Sequence, residues 1–434
     1  MLSVSGARGI VGRSMTPAVA ADFAAGYGSH VKERSGVESP LVILGRDSRP
    51  TGEMLAAAAA AGLASVGCRV IQLGIVTTPT VGVMIGRHKA HAGMAITASH
   101  NPIIWNGLKC LDRDGVAPPP DEAAHIIDRF KRRDAAAAPV EAIQPFQRDT
   151  SGSSTHVARV LRHVNTEAIR EHAFHVVLDS VNGAGCVAGR MLLDELGCSV
   201  AHLNGEPTGR FAHTPEPLRE NLGELMSATA SAANAAVGFA QDPDADRLAI
   251  VDENGRFIGE EYTLVLAARR MLDRHGPGLL AVNLSTSRMI DDLAARYPGS
   301  TVRRTAVGEA NVVSVLKPEQ GLIGGEGNGG VILPEVCWVR DSLSAMALVL
   351  DLLAAEDQPL SVLVDDLPRY AMIKRKMDLS AIGGRDAVDP ILERATKAFT
   401  GDARIDTTDG VRIDTTDGVR IDTEAGWVHL RPDR

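Results

Sequence analysis

Short apolar runs recur along the chain, and nearly every one stops at a glycine-rich or polar knot: LVILGRDSR, VIQLGIVTTPT, MAITASHNP, HVVLDSVNGAG, AVGFAQDPDADR, LLAVNLSTS and LIGGEGNGG. Runs of this length suit buried strands. Between them lie Ala-rich and Leu-rich segments of helical length, such as Met54 to Val66 and Tyr262 to Asp273. Strands alternating with helices imply mostly parallel sheets covered on their faces. In such sheets ligands bind beyond the carboxyl ends of the strands, where these knots fall.

The 434 residues exceed what one core holds, since single cores stop growing at roughly 250–300 residues. Three or four domains are expected. Two βα-type blocks precede residue 250, parted by the polar stretch Gln144 to Ser154. A third follows VDENGR, where Asn254 and Gly255 make a turn between two short strands. The tail from about Tyr370 is different: RIDTTDGV occurs twice in tandem, Arg404 to Val411 and Arg412 to Val419, followed by RIDTEAGW. Apolar and polar residues alternate around an Asp-Gly turn in each unit. That pattern reads either as a small antiparallel meander or as a recent duplication with no function of its own.

Composition excludes several classes. The five cysteines, Cys68, Cys110, Cys186, Cys198 and Cys337, are scattered and form no CxxC pair, which argues against disulfide scaffolds and zinc knuckles and for a cytoplasmic location. The longest quiet stretch, Met54 to Val66, is shorter than the roughly 20 residues needed to span a bilayer, so no membrane partner is expected. Net charge is −9 with both signs mixed, so no nucleic-acid partner is expected and local Arg and Lys must hold any anionic ligand. Aromatic residues make up only 3%, so aliphatic helices must pack on aliphatic strands.

Three knots carry chemistry. In TASHNP, Thr97, Ser99 and Asn101 can simply form side-chain-to-backbone turns ahead of Pro102. Equally, Ser99 at a strand's carboxyl end, flanked by His100 and Asn101, can accept and return a phosphoryl group. The following NGLK places Lys109 beyond an expected Asn106-Gly107 turn, which would fold its ammonium back toward Ser99. In DPDADR, Asp242, Asp244 and Asp246 alternate with Pro and Ala, so an extended backbone would put all three on one face, converging on one hard cation. All-oxygen ligands fit Mg²⁺ better than zinc. Neighbouring Arg247 can hold a carboxylate or meet a phosphate. In GGEGNGG, Glu326 and Asn328 are natural partners for sugar hydroxyls, although a lone glycine-rich loop is a weak signal. Arg8, Arg46, Arg49 and Arg340 complete the set, as phosphate forks or as structural ion pairs. Together these groups point to phosphoryl transfer to or from a sugar.

TASHNP with NGLK, DPDADR and GEGNGG, in this order and at these separations, resemble the α-D-phosphohexomutases: phosphoglucomutase, phosphomannomutase and phosphoglucosamine mutase. SGARGIVG, GRDSR, DSVNGAG, HTPEP and TAVGE are similar to the same family. The resemblance implies an α/β fold that is heart-shaped around a central cleft, with three mixed-sheet α/β domains and a smaller α+β fourth. The boundaries expected are 1–148, 149–252, 253–368 and 369–434. It further implies a phosphoserine at Ser99, with Mg²⁺ held by that group and by Asp242, Asp244 and Asp246. His100, Lys109 and Arg8 then serve catalysis, and Arg247, Glu326, Asn328 and Arg340 serve substrate binding. The substrate is a hexose 1- or 6-phosphate, a hexose bisphosphate is intermediate and activator, and the enzyme is a monomer or homodimer.

Two features depart from the family. The glutamate loop reads Asn328, Gly329, Gly330 where many members have Ser-Gly-His, which brings the chain closer to the archaeal-type phosphoglucosamine and phosphomannose mutases. The family's last loop, RPSNTEP or RPSGTEP, binds the non-reacting phosphate, whereas here GWVHLRPDR stops at Arg434. The expectation is therefore a C-terminally truncated phosphoglucosamine mutase. The alternatives are a phosphomannomutase/phosphoglucomutase and an inactive relative that still binds sugar phosphate. An aspartyl phosphatase using Asp242 would be a third reading, but its first strand would normally open a domain.

Overall fold

The structure is a computed structural model that describes residues 2–3, 5–373, 388–398, 404–406, 419–423 and 426–430. Its first sheet contains β1 (Leu2–Ser3), β2 (Gly6–Ile10), β3 (Leu41–Arg46), β4 (Arg69–Ile75), β5 (Ala92–Ile96), β6 (Trp105–Leu111) and β7 (Gln147–Arg148), in the order β1-β2-β6-β5-β3-β4-β7. Strands β5, β3, β4 and β7 are parallel, while β1, β2, β6 and β5 pair antiparallel. Alternate residues feed opposite faces. Val42 and Leu44 meet Phe23, Leu55 and Leu63 from the helices Pro17–Ser35 and Gly52–Ser65, whereas Ile43 packs with Met84 and Ile85 of the helix Thr78–His88. The strands are buried on both sides, so they read as continuous apolar runs. The two helices on the first face nearly touch: a Cβ on Gly62 would lie 2.2 Å from the Ala21 carbonyl oxygen.

The second sheet contains β8 (His175–Asp179), β9 (Ser199–Leu203), β10 (Ala235–Gln241) and β11 (Leu248–Asp252), ordered β11-β10-β8-β9. The third contains β12 (Leu279–Asn283), β13 (Thr301–Thr305), β14 (Ile323–Glu326) and β15 (Gly330–Ile332), ordered β13-β12-β14-β15. Each is parallel except for one antiparallel pair, β10–β11 and β14–β15 respectively. The sheets are thus mixed, as the resemblance implies, and the second and third remain mostly parallel. Each unit ends its site-bearing strand in a hairpin: β5–β6 encloses TASHNP, β10–β11 encloses DPDADR, and β14–β15 encloses the glutamate loop. One apolar cluster joins the three units, running from Ile43 and Met84 through Val176 and Phe239 to Leu264 and Leu348.

In the tail, the helix Val388–Ala398 is followed by β16 (Arg404–Asp406), β17 (Val419–Thr423) and β18 (Gly426–Leu430), which form an antiparallel sheet. The first RID pairs with the third, Arg404 opposite Asp422, so a meander forms across copies rather than within one. The intervening 407–418, holding most of the second octad, and the closing 431–434 lie outside the described residues. This sheet docks on the third unit through buried Arg420. Its guanidinium stacks 4.3 Å from the Trp427 ring and donates to the carbonyls of Leu284 and Thr286. All five cysteines are free and buried, and among the described residues no helix is long and apolar enough to cross a membrane.

Candidate active site

Ser99 ends the run of β5 in a left-handed backbone conformation, φ 49°, which is uncommon for a residue with a side chain. Its neighbours hold it there. Thr97 Oγ1 accepts the Ser99 N–H at 2.9 Å and donates to Asp47 Oδ2 at 2.7 Å. Arg49, fully buried and paired with Asp47, donates to the carbonyls of Ser99 at 2.9 Å and of Asn101. Turn chemistry therefore falls to Thr97, Asp47 and Arg49, and the Ser99 hydroxyl is spared for Asp242 Oδ2, 3.1 Å away. His100 Nδ1 lies 3.3 Å from Ser99 Oγ, and Nε2 lies 4.0 Å from Glu216 of the HTPEP stretch. Burial, with Arg247 and Arg8 nearby, pushes the His100 imidazole down to about 3, so it is neutral at neutral pH.

The three aspartates do not share a strand face. DPDADR is a hairpin loop with Ala245 at φ 54°, and the carboxylates converge because the chain curls around them. Asp242 Oδ1 accepts the N–H groups of Asp246 and Arg247 at 3.1 and 3.2 Å. Asp244 Oδ2 accepts from Thr78 Oγ1 at 2.7 Å, tying the loop to the start of the helix Thr78–His88. The three residues are buried, and each has a ligand oxygen within 4.8 Å of the others. Asp244 Oδ1 and Asp246 Oδ1 are buried with no hydrogen-bond partner among the described residues. Burial, with the charges of Asp244 and Asp246, pushes the Asp242 carboxyl well up. Converging buried oxygens that lack donors fit a hard divalent cation.

Cations rim this loop. Lys109 Nζ lies 3.3 Å from Asp246 Oδ2 and 3.9 Å from Glu309 Oε1. Burial alone would lower its ammonium, but Glu309, Asp246 and Asp244 outweigh it and hold the group above its ordinary value. The expected turn at Asn106-Gly107 is absent: both residues lie inside β6, and the chain turns upstream, at 99–100 and 103–104. Lys109 thus reaches the site along a strand. Gly107 is needed there, since its Cβ would fall 2.5 Å from the Ala7 carbonyl oxygen and 2.8 Å from Arg8 Cγ. Arg8 sits opposite it on β2. Burial lowers the Arg8 guanidinium, and the fields of Asp244 and Asp246 oppose the shift. Arg247 Nε is 3.8 Å from Asp246 Oδ1.

Glu326, at the end of β14, faces the same loop. Its Oε1 accepts from Asn283 Nδ2 at 2.7 Å and the Gly308 N–H at 3.1 Å, and its Oε2 from Arg340 and, at 3.4 Å, Asn328 Nδ2. Burial would raise this carboxyl, yet Arg340 and Asn283 bring it below its ordinary value. Arg340 also donates to Asp246 Oδ2 at 2.6 Å. Gly329 packs the glutamate loop on β11: at φ 84° its carbonyl accepts the Leu248 N–H at 3.0 Å, and a Cβ would lie 2.3 Å from the Leu248 oxygen.

Ser99, His100, Lys109, Arg8, the three aspartates, Arg247, Glu326, Asn328 and Arg340 are therefore assembled in one place. Arg46 is not, since it pairs with Glu53 at 3.6 Å, and Arg49 is spent on the serine loop. Sequence reasoning missed Glu309, Asn283 and Thr78. Each stands next to a strand end or helix start, in TAVGE, LLAVN and VTTPT, so position after a strand was the available signal. The hairpin setting of DPDADR, late in its unit, also removes the analogy with a phosphatase strand that opens a domain.

Comparison with known proteins agrees with this arrangement. Models of alpha/beta/alpha domains I, II and III of phosphoglucomutase/phosphomannomutase match residues 2–137, 154–255 and 259–370. A "Phosphoglucomutase/phosphomannomutase" of Thermococcus kodakarensis is 39% identical over 98% of this chain and 90% of its own length. A "Probable phosphoglucosamine mutase" of Methanopyrus kandleri is 35% identical over 99% of this chain and 90% of its own length. These coverages do not by themselves show a truncation. The crystal structure of a phosphoglucomutase/phosphomannomutase family protein from Burkholderia thailandensis shares the fold, with a TM-score of 0.81 over 100% of this chain and 94% of that one at 24% identity. The chain belongs to the phosphoglucomutase/phosphomannomutase family of phosphohexomutases, which are isomerases.

Proposed function

We propose that the chain interconverts hexose 1-phosphate and 6-phosphate through a phosphoserine at Ser99 and a bisphosphorylated sugar, with glucosamine phosphate as substrate. The observation that carries this is the approach of Ser99 Oγ to Asp242, across two units and beside Lys109 and the carboxylate trio. In the forward step the bond between Ser99 Oγ and phosphorus breaks as a sugar hydroxyl oxygen bonds to that phosphorus. Lys109 would give a proton to the released Ser99 oxygen and take the hydroxyl proton in exchange, with His100 beside that oxygen, and the bisphosphate returns its other phosphoryl group to Ser99 after turning over. Lys109 and Arg8 face the charge that spreads over the transferring oxygens. Asp242, Asp244 and Asp246 would hold a magnesium ion that supplies further positive charge there when bound. Glu326 and Asn328 would accept and donate hydrogen bonds to sugar hydroxyls, and Arg247 would meet a phosphate. Domain limits at 1–148, 149–252, 253–368 and 369–434 are part of the same reading.

The test incubates the chain with Mg²⁺, a trace of hexose bisphosphate and, separately, glucosamine, glucose and mannose 1-phosphate. The 6-phosphate is expected from glucosamine 1-phosphate. Product from another hexose alone replaces the substrate, and product from none sinks the reading in favour of an inactive sugar-phosphate binder. Ser99→Ala is expected to abolish both turnover and phosphate incorporation.

A further inference from the structure

Each nitrogen of the Arg340 guanidinium faces a different carboxylate. Nη2 donates to Asp246 Oδ2 at 2.6 Å, Nη1 to Glu326 Oε2, and Nε lies 3.3 Å from Glu309 Oε2. The acceptors come from three segments: the aspartate hairpin, the end of β14 and the helix Glu309–Leu316. The Arg340 N–H is itself fixed on Glu309 Oε2 at 3.0 Å. The side chain runs over Gly330, where a Cβ would lie 2.2 Å from Arg340 Cδ and 2.9 Å from Cγ. A side chain at position 330 and this path of Arg340 exclude each other. A planar fork can hold two carboxylates in fixed relation, which a single ammonium cannot.

Two of those carboxylates have other claims on them. Asp246 belongs to the trio that fits a divalent cation, and a guanidinium at 2.6 Å opposes a second positive charge there. Glu326 Oε1 is already taken by Asn283 and Gly308, so a sugar hydroxyl reaching this residue must compete for Oε2, where Arg340 sits. One side chain thus opposes both ligands, by its charge at Asp246, where Oδ1 stays open, and by occupying Oε2 at Glu326.

We propose that Arg340 is a positioning residue that links the cation site to the sugar site: a ligand that displaces it from one carboxylate also frees the other. Such linkage is reciprocal, so cation and sugar phosphate tighten each other's binding by the same factor. The sugar half rests on the mutase reading above, whereas the contest for Asp246 does not.

The experiment measures Mg²⁺ binding by titration calorimetry on the purified chain, with and without saturating glucosamine 1-phosphate and with no bisphosphate present. The wild-type Kd for Mg²⁺ is expected to fall about fivefold or more when the sugar phosphate is added. Arg340→Met is expected to bind Mg²⁺ more tightly than wild type without sugar, and to lose most of the sugar's effect. Arg340→Lys keeps a charge for one carboxylate, so its Mg²⁺ affinity should stay near wild type while the linkage disappears. Gly330→Ala, which crowds Arg340 off its path and leaves the charge in the chain, should also lose the linkage. These last two variants carry the test if Arg340→Met does not fold. Equal Mg²⁺ affinity in wild type and Arg340→Met, or one linkage factor shared by all the proteins, overturns the proposal while leaving the mutase reading intact. If no protein binds glucosamine 1-phosphate, the linkage falls together with that substrate, and the Mg²⁺ comparison alone decides the contest at Asp246.

Discussion

Asp47→Ala tests whether the serine loop is held by a buried ion pair rather than by its own turn residues. Asp47 accepts three hydrogen bonds: from the Arg49 N–H at 2.9 Å, from the Arg49 guanidinium, and from Thr97 Oγ1 at 2.7 Å. Removing it leaves a guanidinium that is 0% exposed without its counter-charge. Breaking one side of such a pair costs about 3–5 kcal/mol. A stranded buried N–H adds about 1 kcal/mol. Part of the charge is still met by the carbonyls of Ser99 and Asn101 and by the Phe211 ring at 4.9 Å, so the lower end, about 4 kcal/mol in all, is expected. The Asp47→Leu/Arg49→Met double variant removes both charges and should recover more than half of that loss, because an apolar pair leaves no uncompensated ion. Urea unfolding followed by circular dichroism gives both values, and phosphate incorporation at Ser99 reports the loop. The double variant should regain stability without regaining phosphorylation, since the Ser99 carbonyl has then lost its donor. A loss below about 1 kcal/mol in Asp47→Ala, or a double variant no better than the single, refutes the reasoning.

Three further outcomes follow from the same geometry. Mg²⁺ at a hundred times its Kd should stabilise the chain by about 2.7 kcal/mol, read as a rise in Tm that EDTA reverses and Asp242→Ala abolishes. A rise of equal size in Asp242→Ala would place the ion elsewhere. Gly329→Ala puts a Cβ 2.3 Å from the Leu248 oxygen at φ 84°, so it should destabilise by about 2 kcal/mol or more and weaken any sugar-phosphate binding, by thermal unfolding and calorimetry. Burial opposes protonation of His213, but Asp179 at 3.0 Å outweighs it and raises the imidazole above its ordinary value. Its stabilising contribution should be complete below about pH 6.5 and be lost as pH rises through the higher folded value. An NMR titration should place that value above the unfolded one, and Asp179→Asn should bring it down.

The alternation of apolar runs with helical segments was legible because burial on both faces leaves a plain sequence mark, as at Val42 to Leu44. The antiparallel partner of each site-bearing strand was not. β11 and β15 are as apolar as their parallel neighbours, β6 carries Asn106 and Lys109 for the site, and direction leaves no mark when both faces are covered. The same blindness misplaced the turn at Asn106-Gly107: the pair looks like a hairpin turn, but Gly107 serves close strand packing beside Arg8. Residue type located Ser99 and the aspartates. It could not locate Glu309 or Asp47, whose importance lies in what they face across the fold rather than in their neighbours along the chain.

Distribution of charge among the units explains why the site needs all three. The first unit brings Lys109 and Arg8, the second brings Asp242, Asp244, Asp246 and Arg247, and the third brings Glu309, Glu326 and Arg340. Taken alone, the second unit would crowd three carboxylates around a single arginine. The first would leave Lys109 with no carboxylate of its own near it, because both anions that face this ammonium, Asp246 and Glu309, come from other units. Assembly cancels these costs pairwise, Lys109 against Asp246 and Glu309, and Arg340 against Asp246. The balance is still incomplete at Asp242, whose carboxyl remains pushed up by burial and by its two neighbours. A divalent cation is the kind of partner that would complete it, since converging buried carboxylate oxygens without donors suit one.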